Sequence, residues 1–215
     1  MALFSALLSS LTLLTGATAH AAPHPLVILA FGDSLTAGYG LVRSQAFPAV
    51  LEKTLQERGW NVRVINAGVS GDTSAGGRAR LAWSLAEKPH LVLLALGAND
   101  ALRGVPPERV QDNLAAMIAA SQEAGARVLL VGMLAPRNWD ADYQRRFNAV
   151  YPQLAAQYGI RLYPFFLEGV YGRPELLLED GLHPNAAGVE TMVAGMMPLV
   201  EAELAAIQPP THEIP

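Results

Sequence analysis

The sequence predicts one three-layer α/β/α domain built on a five-stranded parallel sheet. Five short apolar segments alternate with longer segments of helical periodicity, which is the pattern of repeated βα units. The 215 residues suffice for one such domain, and a composition of 51% hydrophobic and 16% charged residues provides a large core. No internal repeat or linker divides the chain after its N-terminal segment. We therefore expect a single domain over residues 22–215.

Each predicted strand is a short apolar run bounded by glycine, proline or polar residues. The first run, residues 26–31, is continuous and ends at Gly32, as expected for a strand that is buried on both faces. The run at residues 90–96 is the most apolar, so we expect it at the centre of the sheet. The other predicted strands are residues 62–65, 127–131 and 161–163.

The predicted helices have apolar residues at helical spacing and recognisable ends. Residues 47–58 carry an apolar stripe and are followed by Gly59, a typical helix stop. Two prolines open the helix at residues 106–124, where the first turn tolerates them. The remaining predicted helices are residues 74–87, 140–158 and 185–207, and we expect the tail from Gln208 to fray.

Residues 1–21 differ from the rest of the chain and predict a signal peptide. An apolar run without Lys or Arg leads to two small-x-small patterns within residues 17–21, which is typical of an export cleavage site. A basic segment before this run is missing, so a misassigned start codon or a short membrane anchor are the alternatives. The run is shorter than the ~20 residues that a spanning helix needs. We expect a periplasmic or secreted protein with no stable membrane insertion after leader removal.

Charge and motif content exclude several functional classes. A net charge of −4 without a basic cluster argues against nucleic-acid binding, and the absence of cysteine removes disulfides and a cysteine nucleophile. The chain lacks a phosphate loop, a dinucleotide-binding glycine motif and a paired-histidine metal motif. Asp33, Asp72 and Asp100 could be imagined as Mg²⁺ ligands, but each has a simpler role in holding its own turn. We therefore expect no metal and no cofactor.

Ser34 directly follows the first predicted strand, in the turn Gly32-Asp33-Ser34. Ligands of open parallel sheets bind at the carboxyl ends of the strands, so the Ser34 hydroxyl lies where a nucleophile would act. Its amide could also donate to an oxyanion if a helical turn begins there. The alternative is an ordinary helix cap, because serine and aspartate are both favoured caps.

Asp180 and His183 lie three positions apart, which suits a base and the group that orients it. One turn of helix-like backbone would place both on the same side, so that the carboxylate accepts the Nδ1 proton and Nε2 accepts from a serine. A capped turn with a solvent-facing histidine is the alternative. The other histidines are weaker candidates, because they lie near the leader, at the start of a buried strand or in the tail.

Gly71 and Asn99 follow the second and third predicted strands and are candidate oxyanion donors. A glycine lets the backbone approach a ligand closely and offers its N–H, and an asparagine offers its side-chain amide. Taken alone, Gly71 could equally be a turn glycine and Asn99 a loop cap.

These segments together resemble the GDSL, or SGNH, hydrolase superfamily, over nearly the whole chain after the leader. The longer strings at residues 30–40 and 70–74 are most similar to its branch of bacterial periplasmic thioesterase I/lysophospholipase L1 and arylesterases. The sequence blocks that match the superfamily are residues 32–35, Gly71, residues 97–100 and residues 180–184.

The resemblance implies a flavodoxin-like sheet and a catalytic triad of Ser34, Asp180 and His183. It also implies an oxyanion hole formed by the Ser34 and Gly71 amides and the Asn99 side chain, and it implies no metal or cofactor. The branch carries a mobile loop after the asparagine block that senses acyl length. The segment that matches this loop is residues 101–106, in which we predict five substrate-binding residues: Leu102, Arg103, Gly104, Val105 and Pro106.

The predicted function is a serine esterase that hydrolyses acyl esters and thioesters through an acyl-enzyme, of the arylesterase, thioesterase or lysophospholipase type. Its partner is a small-molecule ester or thioester, and we expect a monomer. Two alternatives stay open: a carbohydrate O-deacetylase with the same machinery, and a non-catalytic exported binding domain of similar shape. Few aromatic residues flank the motifs, which disfavours a carbohydrate-binding platform.

Overall fold

Five apolar runs form strands that pair side by side in parallel, in the order β2-β1-β3-β4-β5. The computed structural model describes residues 24–207. All residues of β3 are buried, and β3 occupies the centre of the sheet, as its apolar sequence predicts. The strands are β1 (Leu26–Gly32), β2 (Val62–Gly68), β3 (Leu91–Ala95), β4 (Arg127–Val131) and β5 (Arg161–Tyr163).

Helices cover both faces of this sheet and complete the three layers. Helices α3, α5 and α6 pack against one another on one face, and α2 and α7 pack together on the other. The α/β/α prediction is confirmed, and the five predicted helices begin and end within two residues of their predicted bounds. The helices are α1 (Ser34–Ala37), α2 (Phe47–Glu57), α3 (Ser74–Leu85), α4 (Ala98–Leu102), α5 (Pro107–Glu123), α6 (Ala141–Tyr158) and α7 (Ala186–Ile207).

The structure departs from the sequence-based expectation mainly at the carboxyl edge of the sheet. Strand β2 continues to Gly68, three residues beyond its predicted end, because Asn66 pairs in register with Ala30 despite its polar side chain. Helices α1 and α4 were not predicted, since four and five residues are too few to show a helical period.

Two sequence-based predictions lie outside the described residues, namely the signal peptide at residues 1–21 and the frayed tail from Gln208. Within residues 24–207, none of the helices has the length and apolar character needed to cross a membrane.

The strand order determines which loops meet. Strand β1 lies between β2 and β3, so the segments that follow these three strands are neighbours at the carboxyl edge of the sheet. Ser34, Gly71 and Asn99 lie on these three segments, two to four residues after the strands end.

Candidate active site

Ser34, His183 and Asp180 form a continuous hydrogen-bonded chain at this edge. The Ser34 Oγ lies 2.9 Å from His183 Nε2, across a separation of 149 positions in the sequence. On the other side of the ring, His183 Nδ1 lies 2.6 Å from Asp180 Oδ2. Because a carboxylate can only accept, it fixes Nδ1 as the donor and leaves Nε2 to accept the serine proton. The arrangement can therefore draw a proton from the hydroxyl.

A tight turn, rather than the helix-like turn expected from the spacing, places Asp180 beside His183. The Asp180 Oδ1 accepts from the backbone amides of Leu182 at 2.9 Å and His183 at 3.0 Å. Gly181 has a φ of 66°, which lies in the left-handed region that favours glycine. The hydrogen bond from the His183 amide, followed by that from Leu182, lowers the pKa of Asp180 to about 2. The carboxylate is therefore ionised at neutral pH.

Ser34 is the first residue of α1, directly after β1. Asp33 caps this helix, because its Oδ1 accepts from the Leu35 amide at 3.0 Å. The Ser34 amide is one of the first-turn amides that a helix leaves without an internal partner, so it can donate to a ligand. The two interpretations of the Gly-Asp-Ser turn are thus compatible, since Asp33 caps the helix while the Ser34 hydroxyl faces His183.

Gly71 and Asn99 approach Ser34 from the two neighbouring segments. Gly71 has a φ of 80°, and a Cβ at this position would meet nothing within 4 Å. The backbone conformation therefore calls for glycine, and the space around it is open to a ligand. The Asn99 Nδ2 donates to the carbonyl of Asp72 at 2.9 Å and to Asp33 Oδ2 at 3.3 Å. The structure thus brings Asn99 to the site, where its side-chain NH₂ group donates to these two protein oxygens.

A cavity of about 490 Å³ opens beside Ser34 and His183. Its lining includes the charged residues Arg137 and Glu168, but it is mainly aliphatic and aromatic. Such a surface suits a hydrocarbon chain, because apolar groups gain free energy on leaving water. The larger apolar residues of the lining are Leu35, Leu102, Met133, Leu134, Phe165, Leu167, Tyr171 and Leu182.

Of the five residues predicted to bind substrate, Leu102 alone lines this cavity in the described structure. Arg103 instead donates from Nη2 to the carbonyl of Gly71 at 3.0 Å. Pro106 is the residue before α5 and serves as its N-cap. The segment therefore contacts both the cavity and the Gly71 turn.

Two aromatic residues hold the remainder of this segment against the body of the protein. Trp139 donates from Nε1 to the carbonyl of Ala101 at 2.8 Å, and the Tyr143 hydroxyl donates to the carbonyl of Val105 at 2.9 Å. The Trp139 ring also packs on Gly104, where a Cβ would lie 2.6 Å from the ring. Gly104 and Val105 thus support Leu102 rather than facing the cavity.

The sequence interpretation did not find several residues of the site. Tyr39 packs on the imidazole of His183 with ring centroids 4.4 Å apart. Arg80 contacts the ends of two strands, and no local sequence pattern reveals these contacts, because its acceptors there are backbone carbonyls. Asp33 is buried, with 2% of its surface exposed.

In the part of the chain that the structure describes, no group of three or more histidine and carboxylate side chains could hold a metal ion.

Asp33 is expected to make the stability of the protein depend on pH. Burial raises the pKa of Asp33 to about 6 from an ordinary value of 3.8. Between these two pH values the Asp33 carboxyl is protonated in the folded state and ionised in the unfolded chain. Stability from this group is present below the unfolded pKa and is lost as pH rises towards the folded pKa. Between pH 4 and 7 we expect the unfolding free energy to fall by about 2 kcal/mol from this cause.

Urea titrations of the wild type and of Asp33→Asn over this pH range measure the effect. The asparagine variant keeps an acceptor for the Leu35 amide but cannot ionise. The difference in unfolding free energy between the two proteins should therefore change with pH. An equal slope for both proteins would show that Asp33 does not carry this proton.

The fold and the site geometry together define the class of this protein as the carboxylic ester hydrolases on a parallel α/β/α sheet. The chain belongs to the GDSL-like Lipase/Acylhydrolase family, whose sequence pattern matches residues 30–190. This stretch includes Ser34, Gly71, Asn99 and the turn with Asp180 and His183. The family resemblance inferred from the motifs is confirmed.

Similar proteins are known from sequence and from structure. The esterase TesA of Pseudomonas aeruginosa is 44% identical over 196 residues, which are 91% of this chain and 96% of that protein. Thioesterase 1/protease 1/lysophospholipase L1 of Escherichia coli K12 is 41% identical over 159 residues, 74% of this chain and 75% of that protein. The structure of the esterase EstA from Pseudoalteromonas, inhibited by monoethylphosphonate, superposes with a TM-score of 0.79 at 33% identity, covering 83% of this chain and 98% of that one.

Proposed function

We propose that this protein is a serine esterase that hydrolyses acyl esters and thioesters through an acyl-enzyme on Ser34. The observation that carries the proposal is the unbroken path of hydrogen bonds from the Ser34 hydroxyl through His183 to the ionised Asp180. A binding protein has no need for such a path, whereas a hydroxyl needs one in order to act as a nucleophile at neutral pH.

In the first half of the reaction, the Ser34 Oγ attacks the substrate carbonyl carbon and His183 Nε2 takes the hydroxyl proton. Asp180 stabilises the imidazolium that forms. The carbonyl oxygen becomes an oxyanion, which accepts from the amides of Ser34 and Gly71. Asn99 becomes the third donor by exchanging its longer contact, the one to Asp33, for the oxyanion.

The first half ends when the tetrahedral intermediate collapses and the leaving alcohol or thiol takes the proton from His183. The acyl group is then bound to the Ser34 Oγ. Water gives a proton to His183 Nε2 and attacks the acyl carbonyl, and the carboxylic acid leaves as the proton returns to Ser34. Esters and thioesters form the same oxyanion, so one site serves both.

The cavity beside Ser34 supports an apolar acyl chain as the recognised part of the substrate. Its aliphatic and aromatic walls continue directly from the serine, where the acyl carbon would be bound. Short-to-medium aryl and alkyl esters are the substrates that this site fits. An acetylated carbohydrate would leave most of these walls unused, and turnover of acetylated xylan above that of longer acyl esters would favour the deacetylase alternative.

A fluorophosphonate tests the proposal, because it reacts with activated serines. We expect one phosphonyl group per chain, located at Ser34 by peptide mass spectrometry, and loss of p-nitrophenyl ester hydrolysis in step with labelling. Ser44→Ala is the control: it removes the hydroxyl of a different, exposed serine and should be labelled as fast as the wild type. A purified wild-type protein that neither labels nor hydrolyses any acyl ester would favour the binding-domain alternative instead.

We also propose that residues 1–21 are a signal peptide and that the mature enzyme, residues 22–215, acts in the periplasm or outside the cell. The composition of the apolar segment and its small-x-small patterns support this proposal. The intact mass of the protein recovered from the periplasm measures it. A mass that includes residues 1–21 would contradict cleavage.

A further inference from the structure

We propose that Arg80 is a positioning residue that holds the Gly71 turn against the Ser34 segment and thereby sets the spacing of the oxyanion donors. This inference rests on the proposed function, since it assigns a role in the same reaction. Arg80 does not itself reach the Ser34 hydroxyl. It acts through the backbone of the two segments that carry the donor amides.

The guanidinium of Arg80 makes three hydrogen bonds to three different places. Its Nε donates to Asp72 Oδ2 at 2.7 Å, its Nη1 to the carbonyl of Ala67 at 2.9 Å, and its Nη2 to the carbonyl of Gly32 at 2.9 Å. The guanidinium carbon also lies 4.0 Å from the centre of the Phe31 ring. The side chain is 24% exposed. Each of its three guanidinium nitrogens donates a hydrogen bond, and one face of the guanidinium packs on the Phe31 ring.

The three acceptors lie where the donor amides must be placed. Gly32 ends β1 and is two residues before Ser34, whose amide is one proposed donor. Ala67 is the second-last residue of β2, just before the turn that carries Gly71. Asp72 is the next residue after Gly71. One side chain therefore joins the segment with the nucleophile to both ends of the turn with the second donor.

Backbone hydrogen bonds alone leave part of this turn undetermined. The Val69 amide donates to the carbonyl of Gly32 at 3.0 Å, and the Asp72 amide donates to the carbonyl of Val69 at 3.1 Å. Gly71 itself has the conformational freedom of glycine and open space where a Cβ would stand, and its carbonyl accepts from Arg103 on the segment after β3. The carbonyl of Asp72 also accepts from Asn99, so a shift of Asp72 would disturb two of the three proposed donors together.

Only an arginine fits this set of acceptors. Its planar fork presents donors in fixed directions, whereas a lysine offers one compact charge and cannot reach two strand ends and a carboxylate at once. If Arg80 were merely a structural anchor, its loss would lower the unfolding temperature and leave the folded enzyme with normal kinetics. If it positions the donors, the folded variant should bind substrate normally and stabilise the oxyanion poorly.

Arg80→Lys separates these roles, measured on p-nitrophenyl acyl esters at a temperature where circular dichroism shows a folded protein. We expect kcat to fall about 100-fold with KM within about threefold, because oxyanion donors act in the transition state and small misplacements are costly. Phosphonylation of Ser34 should slow in parallel. Arg78→Lys is the matched control, since Arg78 lies on the same helix and makes one exposed contact, to Asn113 at 3.3 Å. Its kcat should stay within twofold of the wild type.

A second variant, Asp72→Ala, removes the hydrogen bond between Arg80 and the Gly71 turn, while the carbonyls of Gly32 and Ala67 keep their bonds to Arg80. We expect kcat to fall about tenfold or more, again with little change in KM. The proposal is overturned if folded Arg80→Lys keeps kcat within threefold, or if its loss of kcat is matched by a rise in KM. Should Arg80→Lys not fold, unchanged kcat in Asp72→Ala overturns it. An inactive and unlabelled wild type would instead remove the proposed function.

Discussion

Replacement of Ser34 by alanine is expected to lower kcat for p-nitrophenyl acyl esters by about 10⁴-fold or more. The side-chain oxygen that would hold the acyl group is then absent, and His183 is left with no hydroxyl to deprotonate. The residual rate would come from substrate binding and from the donors that remain near the reacting carbonyl. Steady-state kinetics on an acyl-chain series, with the fluorophosphonate as an independent probe, measure the change.

The control for this experiment is the unfolding temperature, which should change little because Ser34→Ala removes one hydrogen bond at a partly buried position. Ser44→Ala should keep the wild-type rate. A Ser34→Ala protein that is folded and retains activity within tenfold of the wild type would take the serine out of the mechanism. The cavity and the fold would then need a different chemistry.

Replacement of Asp180 by asparagine is expected to cost about 10⁴-fold in kcat while leaving the turn intact. An asparagine keeps an oxygen for the amides of Leu182 and His183, which the Asp180 Oδ1 now accepts. Its NH₂ group, however, would face His183 Nδ1 and force that nitrogen to become the acceptor. The ring proton then lies on Nε2, pointing at the Ser34 oxygen, so the imidazole cannot act as a base.

Asp142→Asn is the matched control for Asp180→Asn, because Asp142 is an exposed carboxylate that pairs with Arg145 and Arg146 on α6. Its rate should equal that of the wild type. Unfolding temperatures of both variants should stay close to that of the wild type, which separates an effect on the tautomer from an effect on folding. Wild-type kcat in Asp180→Asn would show that another group orients His183.

Most of the fold could be predicted because its signals are local. Each strand is a separate apolar run, and helices such as α2 and α5 have an apolar stripe with proline or glycine near their ends. The polar end of β2 was missed because Asn66 bonds the carbonyl of Ala37 and the amide of Gly68, contacts that no local pattern reveals. Predicted boundaries were therefore weakest where strands become site-bearing loops.

The candidate site was predictable to the extent that its residues lie in short motifs. The spacing of Asp180 and His183 suggested their contact, although a tight turn rather than a helical one produces it. The network around Arg80 could not be predicted, because its acceptors are backbone carbonyls and one carboxylate brought together only by the packing of α3 on β1. Much of the cavity wall comes from the loops after β4 and β5, which lie outside the sequence motifs.

The origin of those walls separates two tasks along the sheet. The segments after β1, β2 and β3, with the turn before α7, hold the reacting groups, whereas residues 133–137 and 165–171, after β4 and β5, form much of the surface for the acyl chain. Redesign of chain-length preference can therefore be confined to one half of the sheet edge. A library of variants at Met133, Leu134 and Phe165 would change the acyl-chain preference and leave the residues that carry out the hydrolysis unaltered.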